Sequence, residues 1–215
     1  MNRMLMRLKS NNILRNMCVE TTFLKDQIIQ PIFISNQVDI KKEISGIPNN
    51  YVMNLNDSIK QIESDLKNKQ RNFLIFMVPT KKSEFDFNLE FQQKVILKIK
   101  ETFKNEIFLW ADVCLCSMTT HGHCCLFDDN KKIDLNKSVS TLSKVALSYS
   151  QAGVDGIAPS DMMDGRTSAI RKILDDNSFN LLPIMSYSTK FASNFYGPFR
   201  HAADSSPKFG DRKQY

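Results

Sequence analysis

IFLWADVCLC (107–116) is an apolar run that closes on an acid and two thiols. Read as a strand, it puts Asp112, Cys114 and Cys116 on one face, because side chains alternate with period two. The loop beyond it carries HGHCC (121–125), from which Cys124 can return to offer a third sulfur. Of five cysteines and three histidines in the chain, four and two fall within this short region. Three sulfurs on one ion, with a position left open, is the pattern of a reactive zinc site more than of a purely structural one. His121 and His123 flank Gly122 and are open to ligation, to substrate contact or to hydrogen bonding behind the ligands. Cys125 could join Cys124 on one ion only with local strain, and it reads as a bystander.

Outward from this run the chain alternates between two periodicities. Apolar runs at 28–34, 73–78, 156–160 and 182–190 read as further strands. Between them, Leu55, Ile59, Ile62 and Leu66 mark a helical stripe, and Phe91, Val95, Ile99 and Phe103 mark another. Leu135, Val139, Leu142, Ala146 and Tyr149 form a third stripe, ended by Gly153 where a C-cap is expected. Ala169, Ile170, Ile173 and Leu174 make a short fourth. The class is therefore α/β with parallel strands and helical crossovers, either a (β/α) barrel or an open doubly wound sheet. Polar residues gathered at strand ends (Asp112 to Cys116, Ser160-Asp161, Ser188 to Lys190) favour the barrel. No Gly-rich phosphate loop follows any strand, which weakens a nucleotide-binding sheet. Five strands are legible where such a barrel has eight. The 25 residues after Lys190 read as a loop carrying a short helix. The expectation is a C-terminally incomplete barrel.

With 215 residues, 24% charged and 42% hydrophobic, the chain suits one globular domain with a real core. Its net charge of +6 comes from scattered residues. No arginine-aromatic block marks a nucleic-acid groove. An odd number of cysteines, four of them clustered, is no disulfide framework. Arg3, Arg7, Lys9 and Arg15 interrupt the N-terminus, which is neither a signal peptide nor a membrane span. A cytoplasm-like compartment is expected, with an organellar transit segment left open.

Lys190 stands at the end of an apolar run and precedes Phe191, Phe195, Tyr196 and Phe199. A lysine with its ordinary pKa near 10.4 is neutral in only about one molecule in a few thousand at pH 7. Aromatic burial or a second cation is expected to lower that pKa, freeing the amine to form a Schiff base with a carbonyl. The bland alternative is a lysine snorkelling from a strand end. Arg200 and Arg212 have the planar fork that suits a substrate carboxylate, although each alone reads as a surface residue. Asp161 or Asp164 can cap the helix that follows Ser160, or hold a substrate amine at the mouth.

Three stretches together, DVCLCSMTTHGHC (112–124), AGVDGIAPSDMMDGR (152–166) and IMSYSTKFASNFYGPFRHAADSSPKFGDRKQY (184–215), resemble the porphobilinogen synthase (5-aminolevulinate dehydratase) family. RLKSNNILRNMCVETTF (7–23) and QPIFI (30–34) extend the likeness more loosely. The resemblance implies a (β/α)8 TIM barrel, of which 26–215 supplies about the first five strands, behind an N-terminal arm at 1–25 that embraces a neighbour, usually in a homo-octamer. It implies condensation of two 5-aminolevulinate molecules to porphobilinogen with loss of two waters. Cys114, Cys116 and Cys124 then match catalytic zinc ligands, and Asp112 an active-site carboxylate. Ser160 and Asp161 match the pair bordering the substrates, and Lys190 the first of two Schiff-base lysines. Arg200 and Arg212 match the pair holding a substrate carboxylate from a mobile lid, with Tyr196 and Phe199 lining that pocket. The family's second Schiff-base lysine, its last three strands and the acidic ligand of its allosteric Mg2+ fall beyond residue 215. Cys125 and Ser117 stand where the family commonly has glycine and proline, changes that should leave the zinc site intact. A truncated, non-catalytic product acting only through subunit contacts is the alternative. A generic lysine-dependent aldolase fits Lys190 but leaves the cysteines unexplained.

Overall fold

The computed structural model describes residues 6–37, 41–191, 193 and 196–215. Arg3 and Phe195, both weighed above, lie outside the described residues. Strand β1 (Gln30–Ser35) pairs in parallel with β4 (Asn72–Val78) along its whole length, from Gln30 opposite Phe73 to Ser35 opposite Val78. β5 (Phe108–Val113) and β6 (Gly156–Pro159) extend the sheet on one side, both parallel. On the other side lie β3 (Tyr51–Met53), parallel to β1, and β2 (Lys41–Glu43), antiparallel to β3. The order is β2-β3-β1-β4-β5-β6.

Alternation along the strands sorts the core. Phe73, Ile75 and Met77 of β4, with Leu109, Ala111 and Val113 of β5, point to one face and are buried in the main cluster. A short helix, α1 (Asn12–Met17), precedes the sheet, and four longer ones cover that face: α2 (Leu55–Lys67), α3 (Glu90–Phe103), α4 (Leu135–Gln151) and α5 (Arg166–Asp176). They contribute Ile62, Val95, Ile99, Leu142, Ala146, Ile170 and Leu174 to the cluster, as the four-three spacing requires. Two of the helices start on a side-chain cap. Asn54 accepts from the Asp57 N–H at 2.9 Å, and Asp134 from the Lys137 N–H at 2.9 Å. At the foot of the sheet, Lys100 lies 2.7 Å from Asp155, whose carboxylate also accepts the Leu109 N–H at 2.8 Å. One charge pair thereby ties α3 to the starts of β5 and β6.

Four sequence expectations change. The run 107–116 leaves the sheet at Val113, opposite Pro159, where the ladder to β6 ends. The run 182–190 follows β6 without forming a full strand. Met185 donates to Ile157 at 2.8 Å and Tyr187 to Pro159 at 3.2 Å, after which the chain departs. Arg166 draws it away by donating to the Tyr187 carbonyl at 2.7 Å. β2 and β3 are additions, illegible because one is an exposed Lys-Lys-Glu and the other is three residues long. Neither Asp161 nor Asp164 caps α5. Its N-cap is Gly165, with φ +76° and no side-chain bond. Beyond Lys190 a short helix α6 (Tyr196–Ala202) does form within the terminal loop.

Gly156 shows how tightly the inner face is filled. A Cβ there would lie 2.4 Å from the Trp110 ring. Gly156→Ala should therefore destabilise the protein by about 1–3 kcal/mol, as overpacking does. Urea denaturation followed by circular dichroism checks this, and an unchanged midpoint would mean that the ring yields.

Candidate active site at the strand ends

A cavity of about 320 Å³ opens where β1, β4, β5 and β6 finish. Asp112, Cys114, Cys116, Cys124, Ser160, Lys190, Tyr196, Phe199, Arg200 and Arg212 all line it, whereas Asp161, His121, His123 and Cys125 do not. A second cavity of about 310 Å³ shares Cys124, Lys190, Tyr196, Arg200 and Arg212 with the first and adds Asp161.

The three thiols converge through a turn, and strand alternation is not what aligns them. Met118 and Thr119 both donate their N–H to the Leu115 carbonyl, winding the chain just after β5. Cys114 and Cys116 Sγ end 3.3 Å apart, and the three sulfurs lie within 4.8 Å of one another. Cys114 donates to Cys116 and stays well above the usual thiol pKa. Cys116, receiving hydrogen bonds from Cys114 and Cys124 and facing Arg212 and Ser205, falls well below it. Cys124 lies above the usual value. Its hydrogen bond with Cys114 favours the thiolate, but its bond to Cys116 and its burial outweigh that. Three soft sulfur donors with one side on a cavity suit a thiophilic metal ion. These three residues could hold a metal ion. Neither histidine belongs to the group.

Asp112 faces the cavity from β5. Its Oδ1 is buried and has no hydrogen-bond partner among the described residues. Burial pushes its carboxyl up to about 7, against hydrogen bonding with Ser160, with Cys116 adding to the rise and Lys190 opposing it. Lys190 Nζ donates to the Ser160 carbonyl at 2.6 Å and sits 5.8 Å and 5.9 Å from the rings of Tyr196 and Tyr187. Its pKa moves opposite to the expectation. Burial does press it down, but negative charge on Cys114 and Cys124, and on Tyr196 and Asp112, raises it above the ordinary lysine value. Phe191 gives no apolar cover, being 80% exposed.

Arg212 donates to the Tyr196 hydroxyl at 2.5 Å, to the Gly122 carbonyl at 2.7 Å and to the Ser205 carbonyl. Arg200 lies 4.9 Å over the Tyr196 ring. Both Nε atoms are buried and unpartnered among the described residues. Phe199 brings α6 down onto the sheet, 5.5 Å from Phe33 and 6.1 Å from Phe76, which stack on each other at 4.7 Å. Pro198 rests against Gly46 in the turn between β2 and β3, so the hairpin missed in the sequence supports this helix. Asp161 turns away from the first cavity. It accepts the Met163 N–H at 2.8 Å and pairs with Arg166 at 3.4 Å, bracing the strand end.

The last stretch, 203–215, closes over the cysteine loop. Lys82 grips Asp204 at 2.6 Å, and Lys208 donates its N–H to the His121 carbonyl at 3.1 Å. Gly122, at φ +75°, has room for nothing more, since a Cβ would lie 2.4 Å from the Ser206 carbonyl oxygen. His123 is buried and reaches Phe209 and Tyr215. Ser205, Tyr187 and Tyr215 were not singled out from sequence, and Tyr149 was marked only as part of a helical stripe. Their places at the site come from the fold, as when Tyr215 reaches His123 across 92 positions.

A mostly parallel sheet with helices on one face and its reactive side chains at the carboxyl ends defines an α/β enzyme of the barrel class. The chain belongs to the delta-aminolevulinic acid dehydratase family, whose model matches residues 2–215. A delta-aminolevulinic acid dehydratase of Methanothermus sociabilis is 41% identical over 211 residues, and one of Staphylococcus aureus 42% over 217. Each alignment covers 97% of this chain and 66% of the relative. The crystal structure of delta-aminolevulinic acid dehydratase (porphobilinogen synthase) from Toxoplasma gondii ME49, in complex with the reaction product porphobilinogen, superposes with a TM-score of 0.93 at 31% identity. That match covers all of this chain and 63% of the other. The fold is therefore part of a TIM barrel, and the chain spans about two-thirds of the length of these relatives. No helix among the described residues is long and apolar enough to cross a membrane.

Proposed function

We propose that this chain carries residues for the condensation of two 5-aminolevulinate molecules to porphobilinogen, with loss of two waters, in tetrapyrrole biosynthesis. The observation that supports it is the meeting of Lys190, the three thiols and both arginines on one cavity. Lys190 attacks the ketone carbon of one substrate, and water leaves as the C=N bond forms. Asp112, with its unpartnered oxygen toward the same space, takes and returns protons. Arg200 and Arg212 hold a substrate carboxylate, each with a buried Nε still to be satisfied. Ser160 fixes the lysine through its carbonyl, Asp161 borders the adjoining cavity, and Tyr196 and Phe199 form the wall. A zinc ion on Cys114, Cys116 and Cys124 would supply Lewis acidity toward a substrate or water oxygen. The exposed Ile13, Met17 and Phe23 support an arm at 1–25 that covers a neighbouring copy in a homo-octamer.

Borohydride reduction in the presence of 5-aminolevulinate, followed by peptide mapping, tests the reading. An adduct on Lys190 is expected, and adducts confined to other lysines would remove its role. The second reading, subunit contacts without turnover, rests on the exposed apolar side chains of Ile13, Met17 and Phe23. Porphobilinogen formation, measured alongside, separates the two.

A further inference from the structure

The histidine next to Cys124 is engaged on both of its ring nitrogens. His123 Nε2 lies 2.8 Å from the Phe209 carbonyl, which can only accept, so the ring proton is on that nitrogen. Nδ1 of the singly protonated ring is then an acceptor, and the Tyr215 hydroxyl, 2.7 Å away, donates to it. The tyrosine oxygen is left to accept, and the Cys124 N–H points at it from 3.3 Å. Donors and acceptors thus alternate without a gap from Phe209 through His123 and Tyr215 to Cys124. The ring is 2% exposed and wedged among Phe127, Phe209 and Tyr215, so it has little freedom to turn.

We infer that His123 and Tyr215 form a relay that fixes the backbone of Cys124 and so aims its sulfur into the cysteine triad. Both are positioning residues, since neither offers an atom to the triad. The relay rests on the reading of the triad as a zinc site. It gives the His-Gly-His motif a purpose other than ligation. The purpose is specific to Cys124, which sits in a loop, whereas Cys114 directly follows the end of β5 at Val113.

Zinc binding to the 215-residue protein tests it, using competition with a chromophoric chelator and the cobalt(II) absorption spectrum. Tyr215→Phe keeps the ring and removes only the hydroxyl. It should weaken zinc binding by roughly 10- to 100-fold, as loss of a group behind a ligand does. The cobalt spectrum should shift, and the melting temperature of the metal-free protein should stay close to the parent's. His123→Leu should cost the same, and the double variant should be no weaker than either single, because one chain is broken once. His123→Gln, which offers a donor and an acceptor, should recover part of the loss. Cys125→Ala removes another neighbour of Tyr215 and should bind like the parent. Parent-like binding by Tyr215→Phe, or losses that multiply in the double variant, would overturn the relay alone. A parent protein that binds no zinc would overturn the metal reading and the relay with it.

Discussion

Cys124→Ser should lower zinc affinity on the order of 100- to 1,000-fold, about one ligand's share of the binding free energy of a thiolate site. The effect is large because the other two sulfurs come from a single turn at the end of β5. Cys114 and Cys116, 3.3 Å apart, present one side of a coordination sphere. Cys124 closes it from a separate loop, within 4.8 Å of both. Cys125 is no substitute. It is fully buried in the apolar cluster, where burial holds its thiol up at about 11, and its side chain contacts Tyr215. Isothermal titration of the metal-free protein with zinc measures the loss. Retention of parent affinity in Cys124→Ser, together with its loss in a Cys125→Ser control, would exchange the two residues and sink the triad as drawn.

Asp112→Asn is expected to slow imine formation by about 100- to 10,000-fold, the usual worth of a placed acid-base group. The replacement is isosteric and leaves β5 and its hydrogen bonds alone, but an amide cannot carry a proton from the lysine to the departing hydroxyl. Any lysine ammonium must give up a proton before its nitrogen can attack, and Asp112 lines the same cavity as Lys190. Timed borohydride quenching reads the rate. Adduct should still reach Lys190 at long times, and zinc affinity should be unchanged. An unaltered rate would hand the proton transfer to another group.

Much of the fold was legible because parallel strands buried on both faces must be continuous apolar runs. FLIFMV at 73–78 and the stripes of α2, α3 and α4 left little choice. The hairpin at 41–53 was illegible for the opposite reason, since its strands are held by pairing to β1 and carry no pattern of their own. At the site, residue types were legible and their arrangement was not. The thiols gather through a turn that begins where β6 runs out of ladder, a fact about the neighbouring strand and absent from 107–116. The surroundings of Lys190 were misjudged because sequence showed the aromatics nearby and not the sulfurs brought in from another loop. Asp161 borders the second cavity while its carboxylate is tied to Arg166 and the Met163 N–H, a double placement that the sequence does not display. Tyr215 is joined to His123 across 92 positions, a distance no local motif spans.

The two margins of the sheet are chemically unlike. At one, β2 shows solvent Lys41, Lys42 and Glu43 and runs against its neighbour, a charged border that repels a further strand. At the other, the backbone of 183–187 bonds to β6, with the Tyr187 carbonyl held by Arg166, and Leu181 and Phe191, flanking it in sequence, stand 97% and 80% exposed. The sheet therefore has a polarity of growth. Any strand added in register, whether from more of the same polypeptide or from a stray edge in solution, has a welcoming border on one side and a guarded one on the other. Aggregation of this chain during refolding should begin at that border, and lysine placed at 181 or 191 is where solubility would be gained.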